Sequence, residues 1–398
     1  MKHPVAVLTL LALCGLAAVS QLYLPLPLLG QIGRQFGLDA AGAGAALGAF
    51  SFAYASGFLL FGPLSDRIGR KPVMVGGLLA LTATTVLLSQ ASTPAELYAG
   101  RALQGLATAA FPPAALAFLA EALPGRLRLW GLAWLSTAFL LAGLVGQIYG
   151  GLAGAAYGFG WAVALPCPIY LVTAWMLARL PQELRPPVTT PLLASYSGLL
   201  RVLRQPALRT VYGAALPLMM SFVAFYLGLD HHLGAALRAA NLSPLAVRAI
   251  AVPGFLMPLA VALLLPRFGA QRMVSVGLAT AAAGLAMAAI ASAADKQLAA
   301  TLAASVLFVA GVGISVPSLI ARTSALAEAS WRGQAVSLYT FVLFSGASLG
   351  PWLASTAAPL PAARYFGCLA LLVAGALIVS LPTGRSAANT AGATVAPR

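Results

Sequence analysis

The sequence predicts an all-α integral membrane protein with twelve transmembrane helices arranged as two pseudo-symmetric bundles of six. The first observation is composition, because 61% of the 398 residues are hydrophobic and only 8% are charged. A soluble protein of this size carries about a quarter charged residues. The second observation is a series of long apolar stretches, and the third is a match between the two halves of the chain. A lipid bilayer is the solvent that accommodates such a sequence.

Twelve apolar stretches each have about the 20 residues that a helix needs to cross the hydrocarbon core. A transmembrane β-barrel is excluded because apolar and polar residues do not alternate along these stretches. The first stretch begins like a signal peptide, but it continues to Leu29, so we expect it to remain as a helix. The predicted helices cover residues 5–29, 42–65, 73–91, 95–119, 129–153, 157–179, 208–229, 244–266, 273–293, 297–320, 333–358 and 363–382.

Lys and Arg residues indicate the orientation of these helices. Most of them fall in alternate connecting segments, and cytoplasmic loops carry such an excess of positive charge. We therefore expect a multi-pass protein of a bacterial inner membrane with both termini in the cytoplasm. The longest cytoplasmic link divides the chain into an N-terminal bundle at 1–180, a linker at 181–207, a C-terminal bundle at 208–382 and a tail at 383–398.

An internal repeat appears when the sequence is shifted by 200 residues. SDRIGRKPVMVGG at 65–77 then aligns with LPRFGAQRMVSVG at 265–277. Both segments connect the second and third predicted helices of their half, so the match falls at equivalent places. Such repeats are expected in transporters built from two related six-helix halves.

Composition and motifs argue against other classes of function. The net charge of +15 is distributed between apolar runs and not on a basic domain, so no nucleic-acid partner is expected. Cys14, Cys167 and Cys368 lie apart in apolar segments, and we expect neither a metal site nor a cofactor. Because HExxH, phosphate-loop and paired-carboxylate patterns are missing, we do not expect an enzyme or ATP-driven transport.

Four short motifs resemble those of one known family. They are GPLSDRIGRKP at 62–72, RALQG at 101–105, AGLVGQIYGG at 142–151 and GASLGP at 346–351. With twelve predicted helices and a long middle loop, they resemble the signature motifs of the major facilitator superfamily. The pattern is most similar to bacterial drug or sugar efflux proteins of the proton-antiporter branch. It departs from that branch at Gln147, where the family has proline.

The charged loop after the second predicted helix has two interpretations. Its three cations could simply anchor the loop in the cytoplasm, but Asp66 adds nothing to such an anchor. The resemblance implies that this acid faces the N-terminus of the eleventh helix, which begins near Gly333. We expect the contact to form in only one of two conformations and thereby to act as a latch. The residues predicted to form the conformational switch are Asp66, Arg67, Gly69, Arg70, Lys71, Glu121 and Arg126.

Arg101 is predicted to lie well inside a helix, with Gln104 on the same face. An unpaired Arg in the membrane costs about 3 kcal/mol or more, so we expect Arg101 to face a wet cavity and to act in substrate binding or proton-linked switching. The alternative is that its side chain extends to the outer interface. The other predicted residues of the substrate and proton cavity are polar or aromatic and lie away from helix ends: Gln21, Tyr23, Tyr54, Trp134, Gln147, Tyr226, Tyr339 and Trp352.

Small residues in the fifth and eleventh helices predict close packing between helices. Their lack of side-chain bulk allows two helix backbones to approach each other. The predicted packing residues are Gly143, Gly146, Gly150, Gly151, Gly346, Gly350 and Pro351.

Together these features predict a secondary active transporter that works by alternating access. We expect it to act as a monomer in the bilayer and to exchange protons for an exported small organic solute or drug. However, none of the eight acidic residues is predicted at mid-membrane, and Asp39 and Asp230 lie nearest to the cavity mouths. A proton-linked importer, or a uniporter of a sugar-like or anionic metabolite, remains an alternative.

Overall fold

The computed structural model describes residues 4–180, 201–293, 297–328 and 331–381. Most of the predicted linker and all of the predicted tail, 383–398, lie outside these ranges, so the predicted domain boundaries stay a prediction. In the described part of the linker, residues 201–204 are helical, and the next helix begins at Pro206.

The described chain is built from helices throughout. The first half contains α1 (Pro4–Tyr23), a short 3₁₀ turn (Leu26–Leu28), α2 (Leu29–Phe36), α3 (Ala40–Ile68), α4 (Arg70–Ser89), α5 (Pro94–Ala109), α6 (Phe111–Ala122), α7 (Gly125–Ala164) and α8 (Cys167–Arg179). The second half contains α9 (Pro206–Ala239), α10 (Pro244–Ile250), α11 (Val252–Phe255), α12 (Met257–Phe268), α13 (Ala270–Ala291), α14 (Gln297–Leu326), α15 (Arg332–Ala357) and α16 (Ala362–Ser380).

These helices make twelve crossings within the described ranges, which confirms the predicted all-α membrane fold. Ten helical stretches are long and apolar enough to cross a bilayer. One of them, Gly125–Arg179, has 55 residues and is divided at Gly158, where φ is 81° and ψ is 170°. The remaining crossing combines Met257–Phe268 with α10 and α11, which precede it.

Helix ends differ from the predicted bounds where proline or glycine interrupts a helix without ending the crossing. Pro25 and Pro27 stop α1, yet the chain continues through the 3₁₀ turn into α2 and reaches Phe36 instead of Leu29. A proline prevents one helical hydrogen bond, and a short tighter turn absorbs the break. The crossing formed by α9 also extends beyond the predicted end at residue 229, to Ala239.

The two halves have largely separate hydrophobic cores. One large cluster of buried residues comes from the second half of the chain, with Leu140 as its single member from the first half. Two other clusters come from the first half alone. The most extensive contacts between the halves are made by α3 with α15 and by α7 with α12. This arrangement leaves space between the halves for cavities.

The predicted repeat corresponds to equivalent turns in the two halves. Gly69, between α3 and α4, has φ of 98°, and Gly269, between α12 and α13, has φ of 77°. Residues with a side chain rarely adopt this region, which explains glycine at both positions.

The same repeat includes a hydrogen bond after each turn. Lys71 Nζ donates to the carbonyl oxygen of Leu180, at the end of α8. Gln271 Nε2 donates to the carbonyl oxygen of Ser380, at the end of α16, at 3.1 Å. In each half, the start of the third crossing therefore binds the unpaired carbonyls that end the sixth crossing.

Close backbone packing between α1 and α7 involves two of the predicted glycines. A Cβ atom on Gly146 would lie 2.6 Å from the carbonyl oxygen of Ser20, and one on Gly150 would collide with that of Leu24. Only glycine allows α7 to approach α1 so closely.

The second half repeats this packing between α9 and α15. A Cβ on Gly346 would collide with the carbonyl oxygen of Leu216, and one on Gly350 would lie 2.5 Å from Val223 Cβ. Three other predicted packing residues are placed differently: Gly143 and Pro351 line a cavity, and Gly151 has only ordinary contact distances.

Candidate functional site

Two cavities lie between the halves, one at each end of α3. The cavity near the start of α3, here called the Asp39-side cavity, has a volume of about 410 Å³. The cavity near the end of α3, here called the Asp66-side cavity, has a volume of about 450 Å³. Both halves contribute lining residues to each cavity.

Aromatic side chains close the space between α3 and α15 at mid-helix. The ring of Phe344 on α15 lies 4.9 Å from that of Tyr54 and 5.3 Å from that of Phe58, measured between centroids. Beyond this contact, toward the start of α3, Gly48 and Ser348 line opposite walls of the Asp39-side cavity. The two halves therefore touch in the middle of α3 and separate toward its first turns.

Four of the predicted cavity residues line the Asp39-side cavity: Tyr23 from the end of α1, Tyr54 from α3, Gln147 from α7 and Tyr226 from α9. The hydroxyl groups of Tyr54 and Tyr226 are buried and have no hydrogen-bond partner among the described residues. A buried hydroxyl without a partner is costly, so these groups are candidates for contact with a ligand.

Arg248 is a cavity residue that the sequence did not reveal. Ser243 caps α10 by accepting a hydrogen bond from the Ala246 amide at 3.1 Å, which starts the helix before Arg248. The Arg248 side chain lines the Asp39-side cavity, and its guanidinium lies 5.2 Å from the centroid of the Tyr226 ring. Arg248 falls near the start of the predicted helix at 244–266, and position along a helix gives no direction for a side chain.

At the other end of α3, Asp66 lies at the junction between the halves. A Cβ on Gly333, in the first turn of α15, would lie 2.5 Å from both carboxylate oxygens of Asp66. Asp66 also forms an ion pair with Arg70, which is buried and lies 3.4 Å from Glu121 Oε1. One buried cation therefore connects two acids of the first half beside the N-terminus of a helix from the second.

The other predicted switch residues have different surroundings. Lys71 binds the end of α8, and Gly69 forms the turn before α4. Arg67 and Arg126 are exposed. The structure thus brings Asp66, Arg70 and Glu121 together and leaves the two exposed arginines at the rim.

Arg101 lies inside the first bundle and lines neither of the two cavities between the halves. It is fully buried, and its Nη1 donates to the backbone oxygen of Gln21 at 3.0 Å and to the side chain of Gln104. The ring of Phe50 covers its guanidinium at 4.4 Å. α5 packs directly on the backbone of α3 at Gly105, so this face of α5 points into the bundle.

Four other predicted cavity residues also lie outside the two cavities. Gln21 is buried and donates to the Tyr170 hydroxyl at 3.1 Å, and Tyr339 donates to the backbone oxygen of Val316 at 3.2 Å. Both are therefore held inside their own bundle. Trp134 and Trp352 are 52% and 63% exposed and face away from the core. All four were predicted to line the cavity because they lie away from helix ends. Their side chains instead point to other sides of their helices.

The sequence model of the Major Facilitator Superfamily matches residues 11–351. The chain belongs to this superfamily. Solved structures of the superfamily have the same fold. The proton:xylose symporter XylE has a TM-score of 0.73 at 14% identity, covering 95% of each chain. The human organic anion transporter MFSD10 has a TM-score of 0.74 at 18% identity, covering 95% of this chain and 99% of its own.

Several curated members of the major facilitator superfamily match parts of the chain. The inner membrane transport protein YnfM of Escherichia coli (strain K12) is 30% identical over 151 residues, 38% of this chain and 36% of YnfM. Multidrug resistance protein D of the same strain is 31% identical over 110 residues, 27% of this chain and 28% of that protein. Tetracycline resistance protein, class B, of Escherichia coli is 36% identical over 93 residues, 23% of each chain. The chain thus aligns with less than two fifths of the length of these relatives.

Proposed function

We propose that this major facilitator superfamily transporter is a secondary active exporter that exchanges protons for a small organic solute. Transport proceeds by alternating access, in which the two halves rock about the cavities between them. The observation that carries this proposal is the pair of cavities on either side of the aromatic contact between α3 and α15. A solute in the Asp39-side cavity is separated from the Asp66-side cavity until the halves rearrange.

Asp66 supports the conformational part of this proposal. Its carboxylate lies beside the first turn of α15, where unpaired backbone amides favour a negative charge. A contact that joins the halves at one end is lost when that end opens, so it favours the closed arrangement by its full interaction energy. Arg70 holds Asp66 and Glu121 in place for this contact.

The names of two relatives support export as the direction that we propose. They are named for multidrug and tetracycline resistance, which are properties of those proteins. By the positive-inside rule the Asp66 end faces the cytoplasm, so the Asp39-side cavity faces outward and is placed to release an exported solute.

A uniporter is the second candidate, and the lining of the Asp39-side cavity favours it. No Asp or Glu is among the described residues that line this cavity. Asp230 interacts electrostatically with Arg248 but is exposed. Proton exchange would therefore use Asp230, or Asp66 and Glu121 in the Asp66-side cavity.

Everted membrane vesicles test the two functions directly. With an acidic lumen reported by a pH-sensitive dye, a panel of candidate solutes that includes tetracycline is added to vesicles with and without the protein. Proton release that requires both protein and solute supports exchange. Solute uptake without any pH change supports the uniporter, and the absence of both fluxes for all solutes contradicts the transport assignment of the cavity.

Orientation and assembly are part of the same proposal. We propose that both termini face the cytoplasm, that residues 181–207 link the two bundles there, and that the protein works as a monomer in a bacterial inner membrane. Reporter enzymes fused to the C-terminus test the first point, because alkaline phosphatase is active only outside the cytoplasm. An active phosphatase fusion would contradict the orientation.

A further inference from the structure

Four residues of the Asp39-side cavity form a cluster of hydrogen-bond donors: Tyr23, Tyr54, Tyr226 and Arg248. The Arg248 guanidinium lies 5.2 Å from the centroid of the Tyr226 ring. Tyr23 and Tyr54 line the same cavity. The cluster therefore extends from α10 and α9 of the second half to α1 and α3 of the first half. A guanidinium is a donor only, and each phenol supplies one O–H donor.

Two of these donors have no hydrogen-bond partner within the part of the chain that the structure describes. The hydroxyl groups of Tyr54 and Tyr226 are without hydrogen bonds among the described residues, although the two side chains are only 1% and 7% exposed. Buried polar groups are nearly always satisfied, so a hydroxyl at a cavity wall without a protein partner is available to bind an acceptor atom of a ligand or a water. A ligand that provides acceptor oxygens would satisfy both hydroxyls.

The charge of Arg248 is also uncompensated at close range. No carboxylate of the described residues lies within 4.0 Å of its guanidinium, and none lines the cavity. Asp230 interacts with Arg248 at longer range only and is exposed. In a low-dielectric cavity an unpaired cation attracts an anion and repels a cation.

Apart from Ser51, Gln147 and Ser348, the rest of the cavity wall is apolar and includes aromatic rings. It includes Leu22 and Leu47 from the first half and Phe222, Phe255 and Phe344 from the second. Such a wall binds an apolar or aromatic body.

From these observations we infer that the Asp39-side cavity binds an organic anion, with its carboxylate or sulfonate held by Arg248, Tyr54 and Tyr226 and its aromatic body against the apolar wall. This inference rests on the proposed function, because it treats the cavity as the transport site. It narrows the solute from any small organic molecule to an amphipathic anion.

The test compares three probes that share one ring system and differ in charge. Radiolabelled 2-naphthoate, 2-naphthamide and 2-(aminomethyl)naphthalene are added to the purified protein in phosphatidylcholine nanodiscs, and binding is measured by equilibrium dialysis against empty nanodiscs. We expect saturable binding of the naphthoate, at least about tenfold tighter than that of either other probe. A hydrogen bond to a charged group is strong enough to change the dissociation constant by about this factor.

Variants then connect this preference to the cluster. Arg248→Gln is expected to weaken naphthoate binding at least about tenfold and to leave naphthamide binding nearly unchanged. Tyr226→Phe keeps the ring and is expected to weaken naphthoate binding severalfold. Arg364→Gln is the matched control, because it removes the same charge from an exposed position at the same end of the molecule and should leave binding unchanged. Should Arg248→Gln fail to fold, Arg248→Lys keeps the charge and should retain the preference for naphthoate over the ammonium probe.

The inference is overturned if naphthoate does not bind saturably, if the neutral or cationic probe binds equally well, or if Arg248→Gln binds naphthoate as the unmodified protein does. These results are distinguishable from failure of the proposed function. If anion binding requires Arg248 but no flux is seen in vesicles, the transport proposal is contradicted and the anion-binding inference is supported. Proton-linked flux of neutral or cationic solutes alone would support the transport proposal and contradict the anion-binding inference.

Discussion

The Asp66 carboxylate lies against Gly333 in the first turn of α15, so that a Cβ on this glycine would be 2.5 Å from both carboxylate oxygens. Asp66 belongs to a helix of the first six crossings and Gly333 to one of the last six. The pair therefore joins the two halves at one end of the molecule. Each partner can be changed separately, which makes the contact testable from both sides.

Replacing Asp66 with Asn removes the negative charge while keeping the size of the side chain. We expect the ratio of the closed form, in which α3 and α15 meet at the Asp66 end, to the open form to fall by about 2- to 30-fold. The reason is that a charge at a helix N-terminus contributes about 0.3–2 kcal/mol. Double electron–electron resonance between spin labels at Ala122→Cys and Arg272→Cys, two exposed positions at this end, measures the populations. The labels require Cys368→Ser, since Cys368 is the exposed cysteine of the described residues.

The matched control for Asp66→Asn is Asp39→Asn at the other end of α3. Asp39 caps the helix by accepting a hydrogen bond from the Gly42 amide at 2.7 Å, and Asn is an equally good cap. Its distance distribution should equal that of the unmodified protein. An unchanged distance distribution for Asp66→Asn would contradict the hypothesis that the Asp66 contact favours the closed arrangement.

Replacing Gly333 with Ala should act in the same direction as Asp66→Asn. The added methyl group would occupy the space next to the Asp66 carboxylate, so the helices must separate at this point. We expect the same labelled pair to report a larger open population. Gly375→Ala is the control, since a Cβ there has no neighbour within 4 Å and leaves the contact intact. Equal distributions for both variants would contradict the close approach.

Gly346→Ala tests the packing of α9 on α15. Its methyl group would collide with the Leu216 carbonyl oxygen, and overpacking of this kind costs about 1–3 kcal/mol. We expect a lower thermal unfolding midpoint in detergent. At Gly76 a Cβ has free space, so Gly76→Ala should leave the midpoint equal or slightly higher, since Ala favours helix over Gly. A midpoint for Gly346→Ala that matches Gly76→Ala would disprove the close packing.

Arg101→Lys tests whether the buried arginine is structural. Lysine cannot reproduce the planar set of donors that contacts the Gln21 backbone oxygen and Gln104, so we expect a clearly lower thermal midpoint. Preference for naphthoate should stay unchanged, which separates Arg101 from Arg248. Arg34→Lys, at an exposed position, is the control and should unfold at the original temperature. Loss of flux with an unchanged midpoint would instead assign Arg101 to coupling.

Much of the fold could be predicted because the bilayer imposes simple rules on a sequence. The lengths of the apolar stretches predict the number of transmembrane helices. The repeat at a shift of 200 residues aligns Gly69 with Gly269, and both have positive φ. Glycine at Gly146 and Gly346 could be read as packing residues because no other residue allows such backbone contact. These features depend on local length and local backbone geometry.

The composition of the cavity could not be predicted in the same way. Sequence gives the depth of a residue in the membrane, but the direction of a side chain depends on which helices pack around it. Arg101 and Arg248 illustrate the difference: the first is covered by Phe50 inside a bundle, and the second faces the space between bundles. Trp134 and Trp352 were expected in the cavity for their chemistry and instead lie exposed on the molecule's surface.

Residue order alone predicted twelve membrane crossings and two related halves, and the resemblance to a known family implied that Asp66 faces the start of α15. Only the packing of the folded chain shows which cation, which tyrosines and which apolar walls share one cavity. The physical reason is that hydrophobicity acts on each helix separately, whereas a cavity is defined by the faces that six or more packed helices leave uncovered.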